Sequence, residues 1–414
     1  MKKAKIIEIS HPTGIIRTNI HLPASKSESN RALIIKALSK KNSTLKNLSQ
    51  AKDTLILKKI IHSNQKKLNV QDAGTVMRFL TSYFTVTHQK KILYGTPRMH
   101  QRPIKPLVDA LKKLGADINY IRREGFPPIE IKNFIPTKKN VLSITGAISS
   151  QYISSLLMIA PYLPKGLKIT ITGKKSATPY IKMTTALMAY FGVHVYYKKN
   201  KIYIPKSTYQ KKTYTIPADW SSAGYWYSIA ALSKKATIDL NALHQSSHQA
   251  DEVVTVLTQK WGITSSSSKN GIRLKKKIAT KPSFFTFNFS DCPDLAPTLI
   301  VACAALEIPF HGTGLDSLHI KESDRLHALQ NELKKIGIKF IPSKNKWITR
   351  GKLKLKKSIT FDSHQDHRIA MALAPLALLG SIRIKNPSVV TKSYPHFWKD
   401  LKKAGFKIRS TQKK

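Results

Sequence analysis

The sequence predicts an α/β protein of two domains, each built from three repeats of about 70 residues. Three observations carry this. Five stretches share one form, a helix-like run that ends in an apolar residue plus glycine and turns into a strand-like run. They are 107–118, 183–195, 253–264, 326–340 and 397–408. Their glycines, Gly115, Gly192, Gly262, Gly337 and Gly405, stand 77, 70, 75 and 68 residues apart. Glycine just past a helix adopts a left-handed backbone at low cost and stops the helix. A sixth repeat is expected near residues 55–70, where Leu57-Lys58-Lys59-Ile60-Ile61 reads as helix and Leu68-Asn69-Val70 as strand, but without the glycine. Finally, Pro23 and Pro217 each precede a polar helix start. They bound an inserted domain, 24–216, and leave a discontinuous one, 1–23 with 217–414.

Composition narrows the function. The 414 residues carry 71 Lys and Arg against 22 Asp and Glu, a net charge of +49. Such a balance suits either nucleic-acid binding or a general lysine bias on an ordinary enzyme. The lysines are spread along the chain with few aromatics among them, which favours the bias, and nucleic acid is not expected as a partner. The scarcity of acids makes their positions informative. The longest apolar stretches, near 299–306 and 369–379, fall short of the ~20 residues of a membrane span, and Met1-Lys2-Lys3-Ala4-Lys5 leads into strand-like Ile6-Ile7-Glu8-Ile9 rather than a signal sequence. A soluble cytoplasmic protein is expected. Cys292 and Cys303 suit neither a disulfide framework nor a zinc site and read as small core residues.

The chain in order shows one theme, polar and mostly cationic residues at helix starts. Pro23-Ala24-Ser25-Lys26-Ser27-Glu28-Ser29-Asn30-Arg31 precedes an apolar run. Hydroxyl residues there cap a helix, whose free N–H groups and positive dipole end suit anions. Asp72-Ala73-Gly74-Thr75-Val76-Met77-Arg78 puts glycine where backbone N–H groups can approach an anion, without the ending of a Walker loop. Arg98-Met99-His100-Gln101-Arg102-Pro103 leaves Arg102 extended ahead of another helix. Ser149-Ser150-Gln151 and Asp219-Trp220-Ser221-Ser222 each open a helix, and caps alone would explain both. Asp291-Cys292-Pro293-Asp294 offers one acid to cap a helix and one to spare. Lys321-Glu322-Ser323-Asp324-Arg325 packs four charges into five residues, with Glu322 and Arg325 spaced to share a helix face. Gln365-Asp366-His367-Arg368 opens an apolar helix, and Lys392-Ser393-Tyr394-Pro395 precedes the last one. The plain alternatives are an ordinary helix N-terminus at 72–78, a solvated loop at 98–103, a cap with a surface ion pair at 321–325 and a satisfied surface histidine at His367. No metal cluster, serine-protease order, dinucleotide fingerprint or kinase signature accompanies them.

Taken together and in this order, these segments resemble the enolpyruvyl transferases, and within them the EPSP synthase family, from Ile6 to Phe406. The resemblance implies a two-domain enolpyruvyl-transferase fold, three repeated α/β units per domain, with helix N-termini facing an interdomain cleft. It implies transfer of the enolpyruvyl group of phosphoenolpyruvate to the 5-hydroxyl of shikimate 3-phosphate, with release of phosphate, in aromatic amino acid biosynthesis. By the same resemblance Lys26, Ser27, Arg31, Ser149, Ser150, Gln151, Asp294 and Lys321 hold shikimate 3-phosphate. Lys26, Gly74, Arg102, Gln151, Arg325, Arg368 and Lys392 hold phosphoenolpyruvate. Asp294 is the expected base, and Glu322, with Lys26 as rival, the proton donor to carbon. No metal or other cofactor is implied, and a monomer is expected. Two phosphates and two carboxylates bring roughly −5 to −6 of charge, which cations and helix N-termini must balance.

The sequence departs from the family pattern at Ala177, where serine is common before Thr178-Pro179-Tyr180; either Ser176 substitutes through a small shift or that substrate hydrogen bond is lost. Lys182 stands where an acid is common, and Ser317 where asparagine is. A UDP-N-acetylglucosamine enolpyruvyl transferase, a basic nucleic-acid-binding protein and a decayed enzyme with intact motifs remain as alternatives. The first usually carries a cysteine in the loop that corresponds to 97–103, and this loop has none.

Overall fold

The computed structural model describes residues 5–39, 42–145, 149–173, 178–245, 248–356 and 359–411. The chain is α/β throughout and divides into two compact units, Met1–Pro23 with Pro217–Lys414, and Ala24–Ile216.

One sheet plan recurs. Strand Phe285–Asn288 lies parallel to Phe310–Thr313, with helix Ala296–Leu306 connecting them. Helix Arg325–Lys334 follows, then a hairpin of Lys339–Ser343 and Lys346–Arg350 whose second strand pairs antiparallel with Phe310–Thr313. The spatial order is first, second, fourth, third strand. Residues 67–134 and 141–204 repeat this order in the continuous unit. In the discontinuous unit, Ile15–His21 serves as first strand to Lys235–Asn241 and the hairpin at 263–276, and Ile6–Ser10 as fourth strand to Ile359–Asp362, Ile382–Lys385 and Lys407–Thr411. The chain start is thus lodged in two sheets that residues beyond 217 complete, which is why this unit is discontinuous.

Among the described residues the plan appears in five four-stranded sheets, and a sixth set is shorter. Helix Lys26–Leu38 leads to Thr44–Lys46, which pairs parallel with Thr213–Thr215, and helix Lys52–Ile60 follows. The expected sixth strand exists as Lys67–Asn69, but it pairs with Lys91–Tyr94 in the neighbouring sheet. No return hairpin forms there, so no left-handed reversal is needed. The five repeated glycines do make that reversal, with φ of 107°, 84°, 82°, 80° and 94° at Gly115, Gly192, Gly262, Gly337 and Gly405.

The first helix of a repeat is its core. Every residue of Trp220–Leu232 is buried, as are all but the last of Ala296–Leu306. A helix apolar all round must be surrounded by protein. The second helix is amphipathic; in Lys105–Lys113 the buried positions are Leu107, Val108, Ala110 and Leu111, one face at helical spacing. Each unit has its own core, centred on Trp220, Trp226, Phe289 and Phe310 in one and on Phe79, Phe84, Tyr152 and Phe191 in the other. Burying each such ring stabilises by roughly 1.5–3 kcal/mol. Cys292 and Cys303 are buried free thiols, as small core residues should be.

Parallel first and second strands end at the same edge of their sheet. The loops and helix N-termini that follow both strands therefore gather at that edge, where open α/β sheets bind ligands. All the cationic segments singled out from residue 72 onward occupy such positions, whereas Lys26–Leu38 follows Ile15–His21 in the chain and precedes the Thr44–Lys46 strand of the two-stranded set.

Candidate active site

In the discontinuous unit, six expected residues meet in one charged cluster. Arg325 is 1% exposed and is its centre. Its Nη1 donates to Asp294 Oδ1 at 2.9 Å, its Nη2 to Glu322 Oε2 at 2.8 Å and its Nε to Asp366 Oδ2 at 2.8 Å. Arg368 Nη2 donates to the other Asp294 oxygen at 2.8 Å, while its Nη1 lies 3.3 Å from the Asp294 carbonyl oxygen and 3.4 Å from the Tyr225 hydroxyl. Lys321 Nζ lies 3.9 Å from Asp294, and Lys392 Nζ 3.8 Å from Glu322.

Each side chain is placed by local chemistry. Asp366 caps helix His367–Leu373, accepting the Arg368 N–H at 2.9 Å, so Arg368 projects from the first turn. Asp324 caps Arg325–Lys334 and puts Arg325 at its first residue. Glu322 therefore lies before the helix rather than on one of its faces, and the pair forms through a bend in the chain instead of helical spacing. Neither Asp291 nor Asp294 caps Ala296–Leu306, whose start has no side-chain cap. Asp294 is thereby left to the arginines.

Burial pushes the Asp294 carboxyl up, but Arg368, Lys321 and Arg325 outweigh it and hold the group well below the usual carboxylate range. Burial likewise weakens the Arg325 charge, and Asp366, Glu322 and Asp294 more than restore it. Asp294 is thus a poor base while all three cations bear on it.

In the continuous unit the expected cations sit in two groups. Arg31 is 2% exposed. Its guanidinium donates to Thr184 Oγ1 at 2.7 Å, Ser154 Oγ at 3.1 Å and the Ser27 carbonyl at 2.8 Å, with Phe79 and Tyr180 rings 5.3 and 5.8 Å away. These hydrogen-bond partners are neutral, and burial lowers the Arg31 pKa to about 10, with Tyr180 and Glu28 raising it. A guanidinium this deeply buried, with no carboxylate among these hydrogen-bond partners, is suited to an anion. Lys26 pairs with the buried Asp53 at 3.3 Å. Ser25 caps helix Lys26–Leu38 through the Glu28 N–H, leaving Ser27 in its first turn.

The second group surrounds Gly74, the first residue of helix Gly74–Val86. Arg78 Nη1 donates to the Gly74 carbonyl at 3.0 Å, and Arg102 Nη1 to the Asp72 carbonyl at 3.2 Å. A Cβ on Gly74 would stand 2.6 Å from Arg78 Nη1 and 2.7 Å from both terminal nitrogens of Arg102. Glycine is there because two guanidiniums lie against it. Arg102 is extended, as its place before Pro103 requires. Ser149 caps Ser150–Ile159 through the Gln151 N–H. That helix joins the group, with the Tyr152 hydroxyl on the Pro103 carbonyl at 2.5 Å and Ser155 on the Arg78 carbonyl at 2.8 Å. Ser176 and Ala177 lie outside the described residues.

The sequence motifs contain Asp366 and Arg78 but assign them no role at the site, and they do not point to Tyr225 or Asp53. Asp366 was visible as a helix cap; its second function, gripping Arg325, depends on a helix 41 residues away in sequence. Nor do the motifs point to Asp251, a fully buried carboxyl that accepts the Ser221 hydroxyl at 2.6 Å. Burial pushes that carboxyl up to about 7, against the pull of Arg368 and with a push from Asp294. Among the described residues there is no cluster of metal-ligating side chains and no helix long and apolar enough to cross a membrane.

A family profile described as EPSP synthase (3-phosphoshikimate 1-carboxyvinyltransferase) matches residues 56–401. A protein of Bacteroides fragilis (strain YCH46) named 3-phosphoshikimate 1-carboxyvinyltransferase is 44% identical over 399 residues, covering 95% of this chain and 97% of its own. A protein of the same name from Buchnera aphidicola subsp. Cinara cedri is 32% identical, covering 94% and 95%. An EPSP synthase structure from Acinetobacter baumannii shares the fold, with a TM-score of 0.79 over 99% of this chain and all of its own at 21% identity. On the sequence match over most of its length, this chain belongs to the EPSP synthase family.

Proposed function

We propose that this chain transfers the enolpyruvyl group of phosphoenolpyruvate to the 5-hydroxyl of shikimate 3-phosphate, releasing phosphate. The observation that carries the proposal is the convergence of Lys321, Arg325, Arg368 and Lys392 on Asp294 and Glu322. Anion-binding cations and two carboxylates able to move protons share one small volume. In this reading Ser27, Arg31, Ser149, Ser150, Gln151 and Lys321 bind shikimate 3-phosphate. Arg102, Arg325, Arg368, Lys392, Gln151 and the Gly74 backbone bind phosphoenolpyruvate, and Lys26 serves both.

The electrostatics suggest when the base is made. Asp294 is held down by Arg368, Lys321 and Arg325. Substrate anions compete for those cations, so binding loosens their hold and raises the basicity of Asp294 as the hydroxyl arrives. Asp294 then takes the proton while the oxygen attacks C2 and C3 gains a proton from Glu322 or Lys26. The group that protonated C3 then takes a proton back from the methyl carbon as the C2–O bond to phosphate breaks, and the proton held by Asp294 is lost to the departing phosphate. Glu322 lies 2.8 Å from Arg325 and 3.8 Å from Lys392, cations that the substrate anions also draw on. The chain acts as a monomer in the cytoplasm.

Purified protein should release phosphate when shikimate 3-phosphate and phosphoenolpyruvate are both present and not with either alone. Release with UDP-N-acetylglucosamine in place of shikimate 3-phosphate would overturn the substrate assignment. Salt-sensitive retention on DNA without turnover would point to the nucleic-acid reading instead.

A further inference from the structure

Two adjacent non-glycine residues, His364 and Gln365, hold left-handed backbones with φ of 49° and 55°. The Asp366 N–H donates to the Ser363 carbonyl at 2.8 Å across them. This is a turn with positive φ at both central positions, a geometry usually built from Asn-Gly or Gly-Gly. Side chains with a Cβ are strained there, and such strain persists only where surrounding structure holds it. The turn leads directly into Asp366 and Arg368, the two residues that grip Arg325 and Asp294.

What holds the turn is Glu332, 1% exposed and two turns along the helix that begins at Arg325. Glu332 Oε1 accepts from His364 Nε2 at 2.7 Å. Its Oε2 accepts the Asp362 N–H at 2.9 Å and Lys335 Nζ at 2.5 Å. Asp362 Oδ1 accepts the His364 N–H at 2.7 Å, and Lys335 Nζ reaches the Thr360 carbonyl at 3.1 Å. Helix Arg325–Lys334 therefore grips the segment 360–366 at two places, through Arg325 on Asp366 and through Glu332 on the turn. Burial pushes the Glu332 carboxyl up, yet His364, Lys335 and the Asp362 N–H keep it below the usual range, so it stays charged and keeps its acceptors.

We propose that Glu332, acting through His364, is a positioning residue for the reaction: it clamps the strained 363–366 turn so that Asp366 and Arg368 face Arg325 and Asp294. The proposal rests on the reading of Arg368 as a phosphoenolpyruvate ligand. Glu332 itself is outside the charged cluster and touches none of its cations.

The test is relief of strain. Glu332→Gln keeps the side-chain shape but weakens the clamp. The Michaelis constant for phosphoenolpyruvate should rise on the order of 10-fold, as misplacing a binding group does, while affinity for shikimate 3-phosphate alone stays at the wild-type value. Adding Gln365→Gly should restore the constant, because glycine takes the left-handed backbone without a clamp. Failure of glycine to rescue, or equal loss for both substrates, would overturn the proposal. If Glu332→Gln does not fold, His364→Ala and His364→Gly decide, since both lose the imidazole and only glycine relieves the strain. Alanine should be the more damaging, and equal effects would overturn the proposal. Amide exchange at Arg368, whose N–H is bonded to Asp366, gives a reading independent of turnover. It should accelerate in Glu332→Gln and recover with Gln365→Gly even if no substrate pair is converted, which separates this inference from the functional one.

Discussion

Arg325 makes charge-assisted hydrogen bonds to three carboxylates at 2.8–2.9 Å from a position 1% exposed. Replacing it by methionine keeps much of the volume and removes the charge. Asp366, 0% exposed, then loses its guanidinium, Asp294 keeps Arg368, and Glu322 keeps Lys392 at 3.8 Å. Each charge-assisted bond contributes about 1.5–3 kcal/mol in isolation. The contributions do not add, because the survivors rearrange, and breaking a buried pair typically costs about 3–5 kcal/mol. We expect Arg325→Met to lower unfolding free energy by that amount at neutral pH, measured by urea denaturation with unchanged slope. The loss should depend on pH. The Asp294 carboxyl is depressed in the folded protein by cations that include Arg325. A depressed acid contributes stability above its unfolded pKa of about 3.9 and loses it as pH falls toward the folded value. The gap between wild type and variant should therefore be full at pH 6–7, as an order-of-magnitude window, and narrow below about pH 4. A loss under about 1 kcal/mol at neutral pH, or a gap that stays constant down to acid unfolding, would refute the reasoning.

Arg31→Met should behave oppositely. The hydrogen-bond partners of Arg31 are neutral and Thr184 and Ser154 remain bonded to each other at 2.8 Å, so stability should fall by only about 1 kcal/mol while calorimetric binding of shikimate 3-phosphate disappears. Gly74→Ala places a methyl 2.6–2.7 Å from the Arg78 and Arg102 guanidiniums and must displace them; the Michaelis constant for phosphoenolpyruvate should rise with little change for shikimate 3-phosphate in steady-state assays. Asp251 is pushed up to about 7, so wild-type stability should decline as pH rises from about 4 to about 7 and level off above. Asp251→Asn keeps an acceptor for Ser221 and should gain on wild type across that window by a few kcal/mol at most, measured by chemical denaturation at several pH values. Asp294→Ala should remove most turnover in the phosphate-release assay while circular dichroism shows the fold intact; wild-type rates would exclude Asp294 as the base.

Much of this molecule follows from local chemistry. Gly115, Gly192, Gly262, Gly337 and Gly405 mark the helix-to-strand reversals because only a residue without a Cβ turns left-handed there cheaply, and that preference is written in sequence. The helix starts at Ser25, Ser149, Asp219 and Asp366 are equally local, since a cap bonds an N–H two or three residues on. The roles expected of Asp294, Glu322, Arg325 and Arg368 came from the resemblance to the EPSP synthases, since a cap by itself names no ligand. What no local pattern contains is who meets whom. That Lys67–Asn69 pairs with Lys91–Tyr94 instead of closing a sixth four-stranded sheet is a choice among sheets of similar composition. That Asp294 is spared from capping, that Asp366 both caps a helix and grips Arg325, and that Glu332 braces a turn 30 residues away all depend on which elements pack side by side. Capping, glycine and amphipathic spacing act over a few residues and are legible one stretch at a time. Ion pairs among buried charges are decided by burial, and burial exists only once the sheets and helices have closed around them.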